Sequence, residues 1–284
     1  MENLKAADNL IKEFEQKITA PSKDEAIKGK KLFTGVDLGT AYIVLAVVDE
    51  DGNPVAGAMR FAQVVKDGLV VDYIGAIDIV RTLKKQIEDQ LGVELLEAGV
   101  AYPPGTYKND RKAIVNVAQA AGFEVFLEID EPTAANKVLG VTDGAVVDIG
   151  GGTTGIAVFN DGKVIYVADE PTGGTHFSLV IAGAYKTTFE QAEEKKKNIQ
   201  NHQEILPVVK PVVQKVASIV HRHIKQHAVE RVFLVGGTCC LQNIEKIMED
   251  ELKTPVVKPA NPFLVTPLGI ALAVLETHQE RVKR

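Results

Sequence analysis

The chain has no tryptophan, only two cysteines, and no apolar run near the roughly 20 residues that a membrane-spanning helix needs. The cysteines, Cys239 and Cys240, are adjacent. They offer no spaced disulfide framework, so a reducing cytosolic setting is the expectation. An excess of basic charge is also missing: 32 Lys and Arg face 38 Asp and Glu, a net charge of -6. No cluster of Lys and Arg interleaved with aromatics occurs, so neither a nucleic-acid nor a membrane partner is expected. Met1–Lys31 is interspersed with charge and lacks the apolar run of a secretory signal. The P-loop pattern G-x-x-x-x-G-K-[ST] and the dinucleotide fingerprint G-x-G-x-x-G are both absent, which removes two common ways of holding phosphate.

What is present suffices for a large core. With 284 residues and 45% hydrophobic content, the chain can bury about three quarters of its extended surface. Leu4, Ala7, Ile11, Phe14 and Ile18 recur at helical spacing, which predicts an amphipathic helix over Glu2–Thr19. Ala20–Asp24 reads as a linker. Residues 1–30 thus form a separate segment: a helix packed on the body, a frayed tail, or a peptide that docks in a partner's groove.

From Lys31 onward strands and helices alternate, the mark of an α/β protein. Strands are expected over Leu32–Asp37, Ala41–Val48 and Pro54–Phe61, and the stripe Val80, Leu83, Ile87, Leu91 predicts a helix that stops at Gly92. The opening pattern then returns. Val36-Asp37-Leu38-Gly39-Thr40 and Val147-Asp148-Ile149-Gly150-Gly151-Gly152-Thr153 each end a strand in aspartate, turn on glycine and enter a second strand. A hairpin turn at Asn160-Asp161-Gly162 follows the second copy. A repeat of this size predicts two units of similar topology. Helices are expected near Phe177–Tyr185, Phe189–Ile199, Pro207–Ala228, Gln242–Leu252 and Leu264–Leu275, with a buried strand at Val232–Val235.

The duplicated corners carry the candidate chemistry. Glycine lets the backbone approach an anion closely, and clustered N–H groups make an anion-binding concavity, to which Thr40, Thr153 and Thr154 add hydroxyls. Asp37 and Asp148 repel phosphate themselves, so they become useful with Mg²⁺ between, an ion that takes few carboxylates, several waters and phosphate oxygens.

At these residues the sequence resembles the actin, heat-shock-chaperone and sugar-kinase superfamily. Asp37–Thr40 looks like its first phosphate motif and Asp148–Thr154 its second, while Glu131-Pro132-Thr133-Ala134-Ala135 resembles the first connecting motif of the chaperone ATPases. Val235-Gly236-Gly237-Thr238 resembles the adenosine motif, and Pro267-Leu268-Gly269-Ile270-Ala271 the second connecting helix. The resemblance implies two actin-like (ribonuclease-H-like) lobes with a nucleotide cleft between them and reduced peripheral subdomains. It divides the body into 31–143 plus 262–284 and 144–261, and it implies ATP or ADP with Mg²⁺ as cofactors. Asp37 and Asp148 are then metal-holding and catalytic, and Glu131 orients the attacking water, unless its carboxylate only caps a helix. Gly39, Thr40, Gly150, Gly151, Gly152, Thr153 and Thr154 hold phosphate, and Gly236 and Gly237 lie against the nucleoside. Glu193 and Lys196 resemble the ribose- and adenine-contacting helix, although a solvated charged helix has the same spacing.

The sequence also departs from the superfamily. Gly155 stands where chaperone ATPases often carry a further aspartate, and no motif places a hydrolytic lysine, Lys66 being the nearest candidate. A weak ATP hydrolase is the expectation. A narrower resemblance, carried by Val64–Ala76, Tyr102–Thr106 and Asp169–Gly174, is to the ethanolamine-utilisation protein J family, regarded as chaperonin-like. It implies a switch that assists a protein client, an ethanolamine-degrading enzyme or a microcompartment shell, in the cytoplasm or at the microcompartment. A head-to-tail filament and a small-molecule kinase are the alternatives on this fold. His223 and His227, spaced i and i+4, have metal-binding geometry but no third ligand in sequence.

Overall fold

The computed structural model describes residues 2–19, 27 and 29–283, so the linker expected at Ala20–Asp24 lies outside the described residues. The chain divides into two units, Met1–Gly140 with Leu264–Arg284, and Val141–Phe263.

The first unit is built on a five-stranded sheet in the order β3-β2-β1-β6-β7, with β1 Leu32–Leu38, β2 Tyr42–Asp49, β3 Pro54–Phe61, β6 Glu97–Tyr102 and β7 Glu124–Asp130. β1, β2 and β3 form an antiparallel meander, and β6 and β7 run parallel to β1. A small hairpin, β4 Val65–Lys66 and β5 Leu69–Val70, is inserted after β3. Helix α2 (Tyr73–Leu91) buries the predicted stripe Val80, Leu83, Ile87 and Leu91 and stops where Gly92 turns left-handed at φ 70°. Helix α3 (Lys108–Ala120) packs beside it with Ile114, Val117 and Ala118 buried.

The second unit repeats the plan. Its sheet runs β10-β9-β8-β11-β12, with β8 Gly144–Ile149, β9 Thr154–Asn160, β10 Lys163–Glu170, β11 Val232–Val235 and β12 Val256–Val257. Again three antiparallel strands come first and two parallel ones join β8. The duplication read from the two aspartate–glycine corners is therefore a duplication of strand order and direction. Its core lies between the β8–β9 residues Val147, Ile156 and Val158 and one face of α7 (His202–Ile224), through Val209, Val213, Val216 and Val220. Helices α5 (Gly174–Tyr185), α6 (Phe189–Lys197) and α8 (Ile244–Leu252) complete the unit.

Helix α1 (Glu2–Thr19) forms where its periodicity predicts, and its apolar face is not free. Ala7, Ile11 and Phe14 are buried on the first unit, and Gly57 of β3 leaves the room that Phe14 fills. A Cβ at Gly57 would come within 2.5 Å of the Phe14 ring and 2.7 Å of Ile18. Of the readings of this segment, a helix packed on the body is the one that residues 2–19 show.

Helix α7 begins at His202 rather than Pro207, although Pro207 and Pro211 lie inside it. Proline at a helix start was the sequence signal. The buried face starts upstream of both prolines, with His202 and Ile205, and that packing outweighs the lost N–H donors. Helix α9 (Val265–Val282) outruns the expected end at Leu275 because the residues after it are polar but still helix-forming. The two-residue strands β4, β5 and β12 are too short to leave a periodic signal.

The small residues of the two connecting motifs have a packing cause. α4 (Glu131–Leu139) and α9 meet backbone to backbone: a Cβ on Gly269 would lie 2.0 Å from the Ala134 carbonyl oxygen. On its other side α9 presses on β1, where a Cβ on Gly35 would lie 2.4 Å from the Pro267 oxygen. Gly269→Ala should therefore lower the urea unfolding free energy by about 3 kcal/mol. Gly183→Ala, on α5 with nothing within 4 Å of the added carbon, should leave it unchanged or raise it by about 1 kcal/mol. Equal effects of the two substitutions would remove the close-approach explanation.

Candidate functional site

In the second unit the predicted residues come together around one turn. Asp148 is the penultimate residue of β8, buried between β9 and β11 in register with Gly155 and Val235. The next residues, Gly150–Thr153, close a tight turn in which the Gly150 amide donates to the Thr153 carbonyl at 3.0 Å. The carbonyls of Gly150 and Gly151 are taken from outside the turn. The Gly150 oxygen accepts from the Gly174 amide at 2.9 Å and from the Thr238 hydroxyl at 2.7 Å. The Gly151 oxygen accepts from the Thr175 amide at 2.8 Å and its hydroxyl at 2.9 Å. With the carbonyls engaged, the peptide planes are fixed. Among the described residues the amides of Gly151 and Gly152 have no backbone or side-chain acceptor, and Gly152 is buried. Buried backbone N–H groups are rarely left unmatched, so this turn fits an external anion. Thr154 contributes differently from the reading of the sequence: its buried hydroxyl donates to the Thr172 carbonyl at 2.7 Å and so ties β9 to the approach to α5.

The Gly236–Gly237 pair lies directly beside this turn. Gly236 sits at φ 91°, and a Cβ there would lie 2.3 Å from the Asp148 carboxylate. Only glycine allows both the conformation and the approach. Gly237–Cys240 forms a short 3-10 turn whose carbonyls are fixed by Lys258, which donates to Cys239 at 2.9 Å and Leu241 at 2.8 Å. Cys239 is buried, and burial, aided by the Asp148 charge, pushes its thiol well above the ordinary range. That makes it inert.

Glu193 and Lys196 are not a solvated face. Their side chains are only 13% and 14% exposed, and they pair at 2.7 Å. Glu193 accepts from the Ser178 hydroxyl, and Lys196 donates to the Gly174 carbonyl at 3.0 Å, which bolts α6 to the first turn of α5. Burial would raise the Glu193 carboxyl, but the Lys196 charge and the two hydrogen bonds outweigh it and hold the group below its usual value. Burial lowers Lys196, with Glu193 opposing.

In the first unit Asp37 is half-buried next to the end of β1, and Gly39 and Thr40 make the turn into β2. Glu131 follows β7 as the first residue of α4. β6 lies between β1 and β7, so Asp37 and Glu131 lie at the same C-terminal end of the parallel strands with one strand between them. The helix cap is Asp130, whose carboxylate accepts from the Thr133 amide at 3.0 Å. Glu131 is thereby relieved of the capping role. Burial raises the Asp130 carboxyl, against the hydrogen bonds from Thr133. Lys66 lies exposed on the β4–β5 hairpin.

The sequence profile of the type IV pilus assembly protein PilM family matches residues 113–270. Ethanolamine utilization protein EutJ of Salmonella typhimurium is 44% identical over 241 residues, covering 84% of this chain and 85% of that one. The crystal structure of EutJ from Carboxydothermus hydrogenoformans superposes with a TM-score of 0.89 at 49% identity, covering 95% of this chain and 99% of the other. This chain belongs to the EutJ family. Its fold is actin-like: MreB5 of Spiroplasma citri, solved bound to ADP, superposes with a TM-score of 0.73 at 19% identity over 89% of this chain and 99% of that one.

This EutJ-family chain also uses residues that sequence reasoning passed over. Ser178 and Lys258 carry no motif signal of their own, whereas Asp130-x-x-Thr133 has the spacing of a helix cap. The least visible is His202. Its Nδ1 accepts from the Gln242 amide at 3.2 Å, which leaves Nε2 protonated and donating to the Lys196 carbonyl at 2.9 Å. This neutral tautomer joins the end of α6 to the chain that leaves the Gly236–Gly237 turn. Burial depresses the imidazole below its ordinary value of 6.5. The unfolded chain then binds more protons than the native one below pH 6.5. The contribution of His202 to stability is complete above that pH and is lost as pH falls toward the depressed value. Urea titrations at stepwise pH should show wild-type stability declining below pH 6.5, with a shallower decline in His202→Gln. Parallel slopes would contradict this.

Proposed function

We propose that this EutJ-family chain is an ATP- and ADP-binding, slowly hydrolysing switch that assists a protein client in ethanolamine utilization. The observation that carries the reading is the Gly150–Thr153 turn, whose carbonyls are engaged and whose amides at Gly151 and Gly152 have no acceptor among the described residues. Thr238, Gly236, Glu193 and Lys196 are anchored around it in the same unit, and an actin-like relative was solved with ADP.

In this reading Gly39, Thr40, Gly150, Gly151, Gly152 and Thr153 bind phosphate oxygens through their backbone. Gly236 and Gly237 lie along the nucleoside, and Glu193 and Lys196 face its ribose and base. Asp37 and Asp148 would hold Mg²⁺ through its water shell, and the ion when bound neutralises charge on the phosphates. Glu131, the first residue of α4, orients the attacking water. Thr154 acts through the backbone it ties down. A change of nucleotide state would alter the surface offered to a client, one of the ethanolamine-degrading or microcompartment proteins. The proposed site of action is the cytoplasm or the microcompartment. No helix among the described residues is long and apolar enough to cross a membrane.

Calorimetry of ATP, ADP and GTP with and without Mg²⁺ tests this. Adenine nucleotides should bind with a Kd in the micromolar range, about -8 kcal/mol. Asp148→Asn and Asp37→Asn should each abolish the Mg²⁺-dependent part of that affinity. Unchanged Mg²⁺ dependence in both variants, or no nucleotide binding by the wild type, would contradict the reading.

A further inference from the structure

β10 forms one edge of the second unit's sheet and pairs only with β9 among the described residues. Natural edge strands are usually protected by charge, proline or a bulge against indiscriminate pairing, and β10 has a bulge and the charges Lys163, Asp169 and Glu170 near its ends. It also exposes Val164, Ile165 and Val167 at 41%, 53% and 40%. Its ladder with β9 shifts between Val164 and Tyr166, so Ile165 is the extra residue of a bulge.

The bulge changes which side chains share a face. Lys163 opposes Asn160 and Glu170 opposes Thr154, positions of equal parity on β9. Lys163 and Glu170 therefore emerge on the same side of the sheet, although their own numbers differ in parity. It is the side on which Tyr166 meets α7, where its hydroxyl and the His223 Nδ1 are 2.7 Å apart. The other nitrogen of His223 reaches Glu170 Oε1 at 2.8 Å, and the His227 ring lies 4.9 Å from Tyr166. The two histidines that had metal-binding spacing in sequence thus brace this edge. Among the described residues no group of three or more His, Cys, Asp or Glu is placed to hold a metal. Val167 emerges on the opposite face.

From this geometry we infer that β10 pairs antiparallel with β10 of a second copy of this chain, about a two-fold axis through Val167. Directly opposed residues in such a pair share a face. With Val167 opposite its own copy, Tyr166 opposes Ala168, which has the same parity. Without the extra residue, Glu170 would then meet Val164. The bulge on the partner strand moves the pairing on by one and brings Lys163 opposite Glu170, on the same face, twice by symmetry. Glu170 Oε2, not engaged by His223, accepts the partner's ammonium. On the other face the Val167 pair and Val164 cover each other. The strand is self-complementary in charge and in apolar surface, which an isologous two-fold contact requires. This inference is independent of nucleotide binding.

Two eight-residue strands bury less than a standard interface, so the dimer should be weak, with a Kd of about 10–100 µM. Sedimentation velocity of the full chain should show a monomer–dimer equilibrium that stops at two. Val167→Glu, which places two carboxylates face to face, should weaken it at least about tenfold. In a Cys240→Ser background, Val167→Cys should form a disulfide-linked dimer under mild oxidation, because residues on the axis lie about 5 Å apart. Asp169→Cys, which faces Val164 and Ile165, should cross-link far more slowly. A chain that stays monomeric to about 1 mM, open-ended growth, or equal cross-linking of the two cysteine variants would each overturn the proposal.

Discussion

The hydrogen bonds to the carbonyls of Gly150 and Gly151 are the constraint on which the second unit's site depends. Two segments converge on two oxygen atoms: the first turn of α5 through Gly174 and Thr175, and the chain after β11 through Thr238. A glycine turn without such anchors would sample many conformations, since glycine has the most backbone freedom to lose. Here each peptide plane is held by a donor on its carbonyl side, and the amide side is presented as a fixed concavity. The anchoring extends outward: Lys196 holds Gly174, His202 holds Lys196, and Gln242 holds His202. The Gly150–Thr153 turn, Thr238, Gly174, Lys196, His202 and Gln242 are thereby parts of one hydrogen-bonded array inside a single unit.

The first unit is organised by contact of another kind. β1, α4 and α9 approach so closely that Gly35 and Gly269 have no room for a side chain. The position of Glu131 follows from this packing, because α4 starts where β7 ends and cannot slide along α9 without a backbone clash. Asp130 fixes that start from the other direction by capping the helix. Packing and the Asp130 cap thus set Glu131 at the same C-terminal end of the parallel strands as Asp37.

Much of this was legible in the sequence. Paired aspartate–glycine corners announced two topologically equal sheets, and the connecting motifs announced α4 and α9, because their small residues are what close packing requires. The apolar stripes of α1, α2 and α7 fixed which faces are buried. What stayed hidden depends on tertiary partners. His202 lies in a polar stretch ahead of two prolines, and its role needs Gln242 and Lys196, distant in sequence, to be brought alongside. Thr154 reads as a hydrogen-bond donor to phosphate until its hydroxyl is seen to donate to the Thr172 carbonyl. The bulge at Ile165 has no sequence signature, yet it decides which side of the sheet Lys163 faces.

The central claim is that the amides of Gly151 and Gly152 are held ready for a phosphate group by the anchored carbonyls behind them. Amide NMR of the isotopically labelled chain, titrated with ADP and in parallel with adenosine, tests it most directly. The account predicts that the Gly151, Gly152 and Thr153 amide resonances shift on addition of ADP and stay in place with adenosine, whereas Gly237 and Thr238 respond to both. Binding of ADP that leaves the Gly151 and Gly152 amides unmoved would contradict it.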